Sequence, residues 1–256
     1  VVCVAGSNGK TTTKELVATV LATRFSTLKS EASFNNDIGV PATLLQLNSH
    51  HGAAVLEAGT NHPGELSPLV RLITPQWGVI TNFGREHLEF FGDLDGVVRE
   101  EGTLAEELPP GGQLLLDGDS PFAEAVAARR RPGVGLVKVG VAAHNDWQIK
   151  RVRQDWTGLT FQVNAPQHPE WSGTWQLPLP GTHTARNATY ALAVGAGLGV
   201  NPESARKALA DFHPPRQRLS VSTAGGLRIV DDTYNANADS MLAALQTLAD
   251  LPCTGR

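Results

Sequence analysis

The stretch "AGSNGKTTTKE", Ala5 to Glu15, sets two glycines, two lysines and three threonines between an apolar run and a segment with helical spacing. Backbone amides at a helix start point outward without partners, and glycines let them close around an anion. Gly6, Ser7, Asn8, Gly9, Lys10, Thr11 and Thr12 are therefore candidate phosphate-binding residues. In that arrangement Lys10 reaches the terminal phosphates and the Thr11 hydroxyl sits on Mg²⁺. The pattern departs from G-x-x-x-x-G-K-[ST], because Val4 stands where the first glycine would be. A glycine turn capped by threonines is the plain alternative; the strand before and the amphipathic helix after favour the phosphate loop.

In an open parallel sheet, partners for such a loop come from the carboxyl ends of neighbouring strands. Glu57, closing "AAVLEAG", and His87, in the loop after "GVITN", are placed that way. Singly they read as a solvated strand-end charge and a structural histidine. Beside a phosphate loop, a carboxylate and an imidazole on adjacent strand ends predict a second metal site.

These residues need a scaffold. "VVCVA", "AAVLEAG", "WGVITNFG", "GQLLLDGD" and "VGLVKVG" read as strands alternating with helical segments. That predicts an α/β fold of P-loop type, a mostly parallel sheet flanked by helices. In "KTTTKELVATVLATRF", Leu16, Val17, Val20 and Leu21 share one helical face, with Lys14, Glu15 and Thr19 off it. Between Trp147 and Leu179, "LTFQVNA" and "GTWQLPL" alternate in period two, which predicts antiparallel strands appended to the sheet. A helix over "ARNATYALAVGAGLG" follows. Pro214 and Pro215 then mark a boundary, since neither continues a helix. Residues 1–213 are thus expected to form one domain. Residues 214–256, with one strand ("LRIVDD") and one helix ("SMLAALQTLADL"), would begin another and are too few to close a core. The chain opens in mid-strand on Val1, which suggests a piece of a longer protein.

The 256 residues are 41% hydrophobic and 18% charged, ordinary for a globular protein able to bury a core. A net charge of -4 argues against a general nucleic-acid binder. Cys3 and Cys253 have no metal spacing around them and imply no disulfide framework, so a reducing, cytoplasmic setting is expected. No apolar run approaches the ~18 residues of a membrane span.

"GSNGKTTTKE", "SFNNDIGVPATLL", "EAGTNHPGEL", "VITNFGREHLEFFG" and "RIVDDTYNANADSM" together resemble the Mur ligases of bacterial peptidoglycan synthesis. Within them, "GTNHPGE" and "DDTYNAN" look like the MurF type, which joins D-Ala-D-Ala to UDP-MurNAc-tripeptide. The likeness runs from Val1 to Met241 in the family's order. It implies a central ATPase domain followed by the start of a C-terminal Rossmann-like domain, with the N-terminal domain for the UDP-sugar absent from the chain. A monomer using ATP and Mg²⁺ is expected. By resemblance Lys10 binds the β/γ-phosphates, Thr11 and Glu57 the first Mg²⁺ and His87 the second. Asn187 and Arg218 match nucleotide-contacting positions, and Asp232 an acidic position near the nucleotide. Asn35, Asn36 and the turn through Gly39 and Pro41 match a loop facing the muramyl-peptide. The implied reaction turns a carboxylate into an acyl phosphate that an amine then attacks.

Three positions depart from the family pattern. Many members carry a carbamylated lysine beside the second metal, where the register puts Glu101. Two readings stay open: Glu101 replaces the carbamate, directly or through water, or it is a solvated helix residue beside Glu100. Thr184 stands where asparagine is frequent, and Ala238 takes the proline position of "NANP". Other substrates within the same mechanism (another Mur ligase, or a folylpolyglutamate synthase-like enzyme) form the first alternative. A P-loop NTPase module without ligase chemistry is the second, though it would not need "SFNNDIGVP", Arg218 or Asp232.

Overall fold

A computed structural model describes residues 1–253. Its frame is a nine-stranded sheet in the order β2-β3-β1-β4-β5-β6-β7-β8-β9. The strands are β1 (Val2–Ala5), β2 (Thr27–Lys29), β3 (Ala53–Glu57), β4 (Trp77–Ile80), β5 (Gln113–Asp117), β6 (Gly135–Gly140), β7 (Trp147–Asp155), β8 (Gly158–Asn164) and β9 (Gly173–Leu177). From β2 to β7 every pairing is parallel, and β8 and β9 add antiparallel strands at one edge. The α/β fold with its appended antiparallel strands is as the sequence predicts.

Ten helices connect these strands among the described residues. They are α1 (Lys10–Ala22), α2 (Gly39–Leu44), α3 (Leu66–Ile73), α4 (Leu88–Phe91), α5 (Leu94–Glu101), α6 (Thr103–Glu107), α7 (Ala123–Ala127), α8 (Thr184–Gly197), α9 (Pro202–Ala210) and α10 (Ala238–Asp250). Period-two alternation sorts strand residues between two cores. Val2, Val4, Val55 and Val79 pack with α1, α8 and α9. Cys3, Ala5, Leu56 and Ile80 face the opposite way, with α3, α6 and α7. The sheet is thus covered on both faces, which is why its strands read as continuous apolar runs.

Chain order reverses beside β1, whose neighbours are β3 and β4. Such a reversal opens a crevice at the carboxyl ends of the strands, and the Gly6–Thr12 loop leaves β1 there. Beyond Pro215, a separate antiparallel pair, β10 (Ser220–Ala224) with β11 (Leu227–Asp231), precedes α10. The sequence showed only β11 of that pair. One face of α10, carrying Met241, Leu242, Leu245 and Leu248, is exposed. No helix among the described residues is long and apolar enough to cross a membrane.

Candidate functional site

The loop from β1 to α1 turns at Gly6 (φ +108°) and Gly9 (φ +81°), conformations that favour glycine. Space is as restrictive as backbone angle: a Cβ on Gly6 would stand 2.4 Å from Thr81 Oγ1, and one on Gly9 3.0 Å from Asn187. The chain after β4 pins the loop. Gly84 N–H donates to Ser7 Oγ (2.8 Å), which donates to Gly84 O (3.2 Å). Asn82 accepts from Asn8 N–H (3.0 Å) and returns a bond to Asn8 O (2.9 Å).

Lys10 Nζ donates to Gly6 O (2.6 Å) and Ser7 O (3.1 Å) and stands 3.6 Å from the Glu86 carboxylate. Burial works against its charge, but Glu86, Glu101 and Glu57 outweigh it and hold the ammonium above its ordinary range. Lys10 is therefore a fixed cation at the loop. Glu86 is its counter-ion, a partner the sequence gave no reason to single out.

Thr11 Oγ1 donates to Glu57 Oε2 (2.9 Å), while Asn35 Nδ2 donates to Glu57 Oε1 (2.8 Å). Arg218 Nη2 reaches Thr11 Oγ1 at 3.2 Å, its guanidinium lying 4.0 Å over the Tyr234 ring. A phosphate-loop hydroxyl, a strand-end carboxylate, an asparagine from another loop and an arginine from the tail thus meet at one point. His87 stands at the position just before α4 in the left-handed region (φ +48°) and lines the same cavity. Among the described residues, no three His, Cys, Asp or Glu side chains converge into a metal cage. Magnesium needs none, because it is commonly held by one or two carboxylates with water and phosphate. The hard oxygens of Thr11 and Glu57 fit that demand.

The cavity measures about 810 Å³. Its lining takes in Ser7, Asn8, Gly9, Lys10, Thr11 and Thr12, then Asn35, Asn36, Glu57 and His87, and finally Asn187, Arg218 and Asp232. His183, not foreseen, lines it as well; burial and the nearby Arg186 push its imidazole down to about 4, so it is neutral at pH 7. Asp232 accepts from Leu219 N–H (3.1 Å), and burial raises its carboxyl despite that bond and Arg218.

Several expectations change. Gly6 is not part of the lining: its N–H donates 2.6 Å to Glu101 Oε2, so this amide is turned away from any anion. Glu101 fits neither reading of the sequence. It is 1% exposed, lies behind the loop and does not line the cavity. Burial pushes its carboxyl up to about 8, with Lys10 pulling it down and Glu86 and Glu100 adding to the rise. Gly39 and Pro41 also lie off the cavity, in α2, where a Cβ on Gly39 would meet the Phe34 backbone at 2.7 Å. Asn36 links that helix to the site by accepting from Gly39 N–H (2.8 Å). Finally, Lys14 is buried, not solvent-facing, because its ammonium caps the carbonyls of Ser30 and Ala32 (both 2.6 Å) and pairs with Glu15.

Comparison with known proteins adds the lineage. Residues 4–195 match the Mur ligase middle domain. The chain is 35% identical, over its whole length, to the UDP-N-acetylmuramoyl-tripeptide–D-alanyl-D-alanine ligase of Bacillus subtilis, of which it covers 54%. It is 34% identical over 98% of its length to the ligase of the same name from Escherichia coli, covering 55% of that protein. Among solved structures, MurF from Acinetobacter baumannii superposes with a TM-score of 0.91 at 32% identity, over 97% of this chain and 54% of that one. MurF from Thermotoga maritima in complex with ADP gives 0.86 at 25% identity, over 98% and 57%. The chain thus spans about half the length of the relatives it matches. With a middle-domain match over most of its residues, and relatives 35% and 34% identical over all or nearly all of its length, the chain belongs to the Mur ligase family.

Proposed function

We propose that the chain forms the nucleotide-binding part of a MurF-type ligase, which uses ATP to join D-Ala-D-Ala to UDP-MurNAc-tripeptide. The observation that carries this reading is the chain of contacts Arg218–Thr11–Glu57–Asn35, which ties the phosphate loop to a second loop of the same cavity. A nucleotide switch needs only the middle of that chain, Thr11 with Glu57; a ligase, which must bring a second anion up to the γ-phosphate, has use for Arg218 and Asn35 at its two ends as well.

The residues divide the work. The amides from Gly9 to Thr12, where α1 opens, and the Lys10 ammonium receive the phosphates, Lys10 exchanging its loop carbonyls for phosphate oxygens, while the Ser7 and Asn8 amides stay committed to Asn82. Asn187 and neutral His183 offer polar and planar surface to the base without adding charge. Thr11 and Glu57 would hold Mg²⁺, which when bound supplies positive charge to screen the phosphate oxygens. Asn35 and Asn36 bring uncharged donors to the carboxylate side, where a further anion would be repelled. The substrate carboxylate attacks the γ-phosphorus and ADP departs; the D-Ala-D-Ala amine then attacks the resulting acyl carbon, losing a proton and expelling phosphate. Both steps depend on positioning and charge screening more than on covalent help from the protein.

The test is phosphate release by the full-length protein. Release that requires both UDP-MurNAc-tripeptide and D-Ala-D-Ala is expected; equal hydrolysis in the absence of either would overturn the reading.

A further inference from the structure

Consecutive residues of an α-helix project about 100° apart, and the last two of α5 use that angle to hold two different walls of the cavity. Glu101 takes the amide of Gly6 in the phosphate loop (2.6 Å). Glu100 takes the loop 59–66 that follows β3. Its Oε2 accepts from Gly64 N–H (2.8 Å) and its Oε1 from Leu66 N–H (2.8 Å), while the Thr60 hydroxyl, 3.3 Å from Oε1, lies nearer the His62 carbonyl (2.8 Å). Gly59, Thr60, Asn61, Gly64 and Glu65 line the cavity, and Gly59 N–H donates to Asn35 O (2.9 Å), so this loop abuts the one that orients Glu57.

Two adjacent carboxylates, 8% and 1% exposed, are a costly choice for a helix end. Packing alone would be served as well by leucine. The return is geometric: one turn of helix fixes two otherwise irregular loops, and two backbone amides of the 59–66 loop depend on one carboxylate.

We propose that Glu100 is a positioning residue for the non-nucleotide side of the site and that, together with Glu101, it fixes the separation between the 59–66 loop and the phosphate loop. The inference rests on the ligase reading above. It predicts a division of effects that a merely structural glutamate would not produce.

The experiment uses the full-length protein with Glu100→Gln, which keeps size and one acceptor oxygen but sets an NH₂ donor against an N–H donor. Amide exchange over residues 60–66 should quicken, and KM for UDP-MurNAc-tripeptide or D-Ala-D-Ala should rise about tenfold, with nucleotide affinity changed less than about twofold. Glu100→Asp, which keeps the charge but shortens the reach, should fall between the two, and it serves alone if Glu100→Gln does not fold. Unchanged exchange in the loop, or faster exchange with both KM values unaltered, overturns the inference while an active wild type leaves the ligase reading standing. A wild type that releases phosphate without either substrate removes both.

Discussion

The floor of the cavity and its rim are held together by different physics. Floor residues come from the carboxyl edge of the sheet and the helix that leaves it: Ser7, Thr11 and Glu57 are 6%, 6% and 1% exposed, and their bonds join the loop after β1, the start of α1, the end of β3 and the chain after β4. Rim residues come from the tail beyond Pro215. There Asn237 donates to Asn8 (2.8 Å), Asp239 accepts from Arg85 Nε (2.9 Å) and Tyr234 meets Ser33, all across a partly exposed boundary. Polar contacts of this kind are individually weak in water. A floor built into a sheet is rigid before any ligand arrives, whereas a rim of exposed pairs can part and re-form. That division would suit the proposed ligase, whose site has to admit large substrates and then exclude water.

The strongest way to break the comparison is at the floor. Lys10→Met keeps the length of the side chain and removes its charge, while leaving the loop glycines in place. Phosphate release by the full-length protein should fall by roughly 10³-fold, since a cation aimed at transferring phosphate is among the largest contributions to such catalysis. A loss under tenfold would mean that Lys10 serves only Glu86 and the loop carbonyls.

How much of this division the sequence showed follows from which physics each part uses. Strands β1, β3, β4 and β5 are legible because both faces are buried and the runs are apolar, and half-buried β6 is legible from the valines and leucine of its run. Strand β2, three residues long, is too short to declare itself, and β10 ("SVSTA") lacks an apolar pattern because it is largely exposed. The Gly6–Thr12 loop is visible because its glycines and Lys10 follow one another in the chain. Glu86, Asn82 and Glu100 lay in or near stretches already singled out, yet their partners are far away in sequence, at separations of 76, 74 and 36 residues for Lys10, Asn8 and Gly64. Nothing in their spacing declares those contacts. Lys14 is hidden for a related reason: helical spacing places it off the apolar face, and only the fold brings Ser30 and Ala32 close enough to cap its ammonium and bury it.

A second test sharpens the contrast through pH. Glu101 belongs to the floor's support, and burial lifts its carboxyl from 4.5 to about 8. Between those values the folded protein keeps a proton that the unfolded chain has released. Raising pH through that window therefore favours unfolding, by up to about 1.4 kcal/mol per pH unit, and the loss levels off above the folded value. Thermal melts of Glu101→Gln and wild type should diverge between pH 5 and pH 8.5, with the wild type losing ground. Asp239 at the rim has its carboxyl held low, chiefly by the Arg85 side chain, so Asp239→Asn should show no such divergence over the same interval. Parallel melting curves for Glu101→Gln and wild type would place the ionised carboxylate in the fold at all these pH values.

The smallest expected effect discriminates within the rim itself. Arg85 and Asp239 meet twice: the guanidinium donates to Oδ1, and the Arg85 backbone N–H donates to Oδ2 (2.6 Å). Removing the Arg85 side chain leaves the backbone bond intact; removing the Asp239 carboxylate breaks both. Asp239→Ala should therefore weaken nucleotide binding by the full-length protein about threefold, and Arg85→Ala by less than about twofold, both less so at high salt. The effect reaches the nucleotide because the same tail carries Arg218, whose place above Thr11 depends on how the rim closes. Equal losses in the two variants would mean that the side-chain pair alone closes the rim, and losses approaching that of Lys10→Met would erase the distinction between a built floor and a reversible rim.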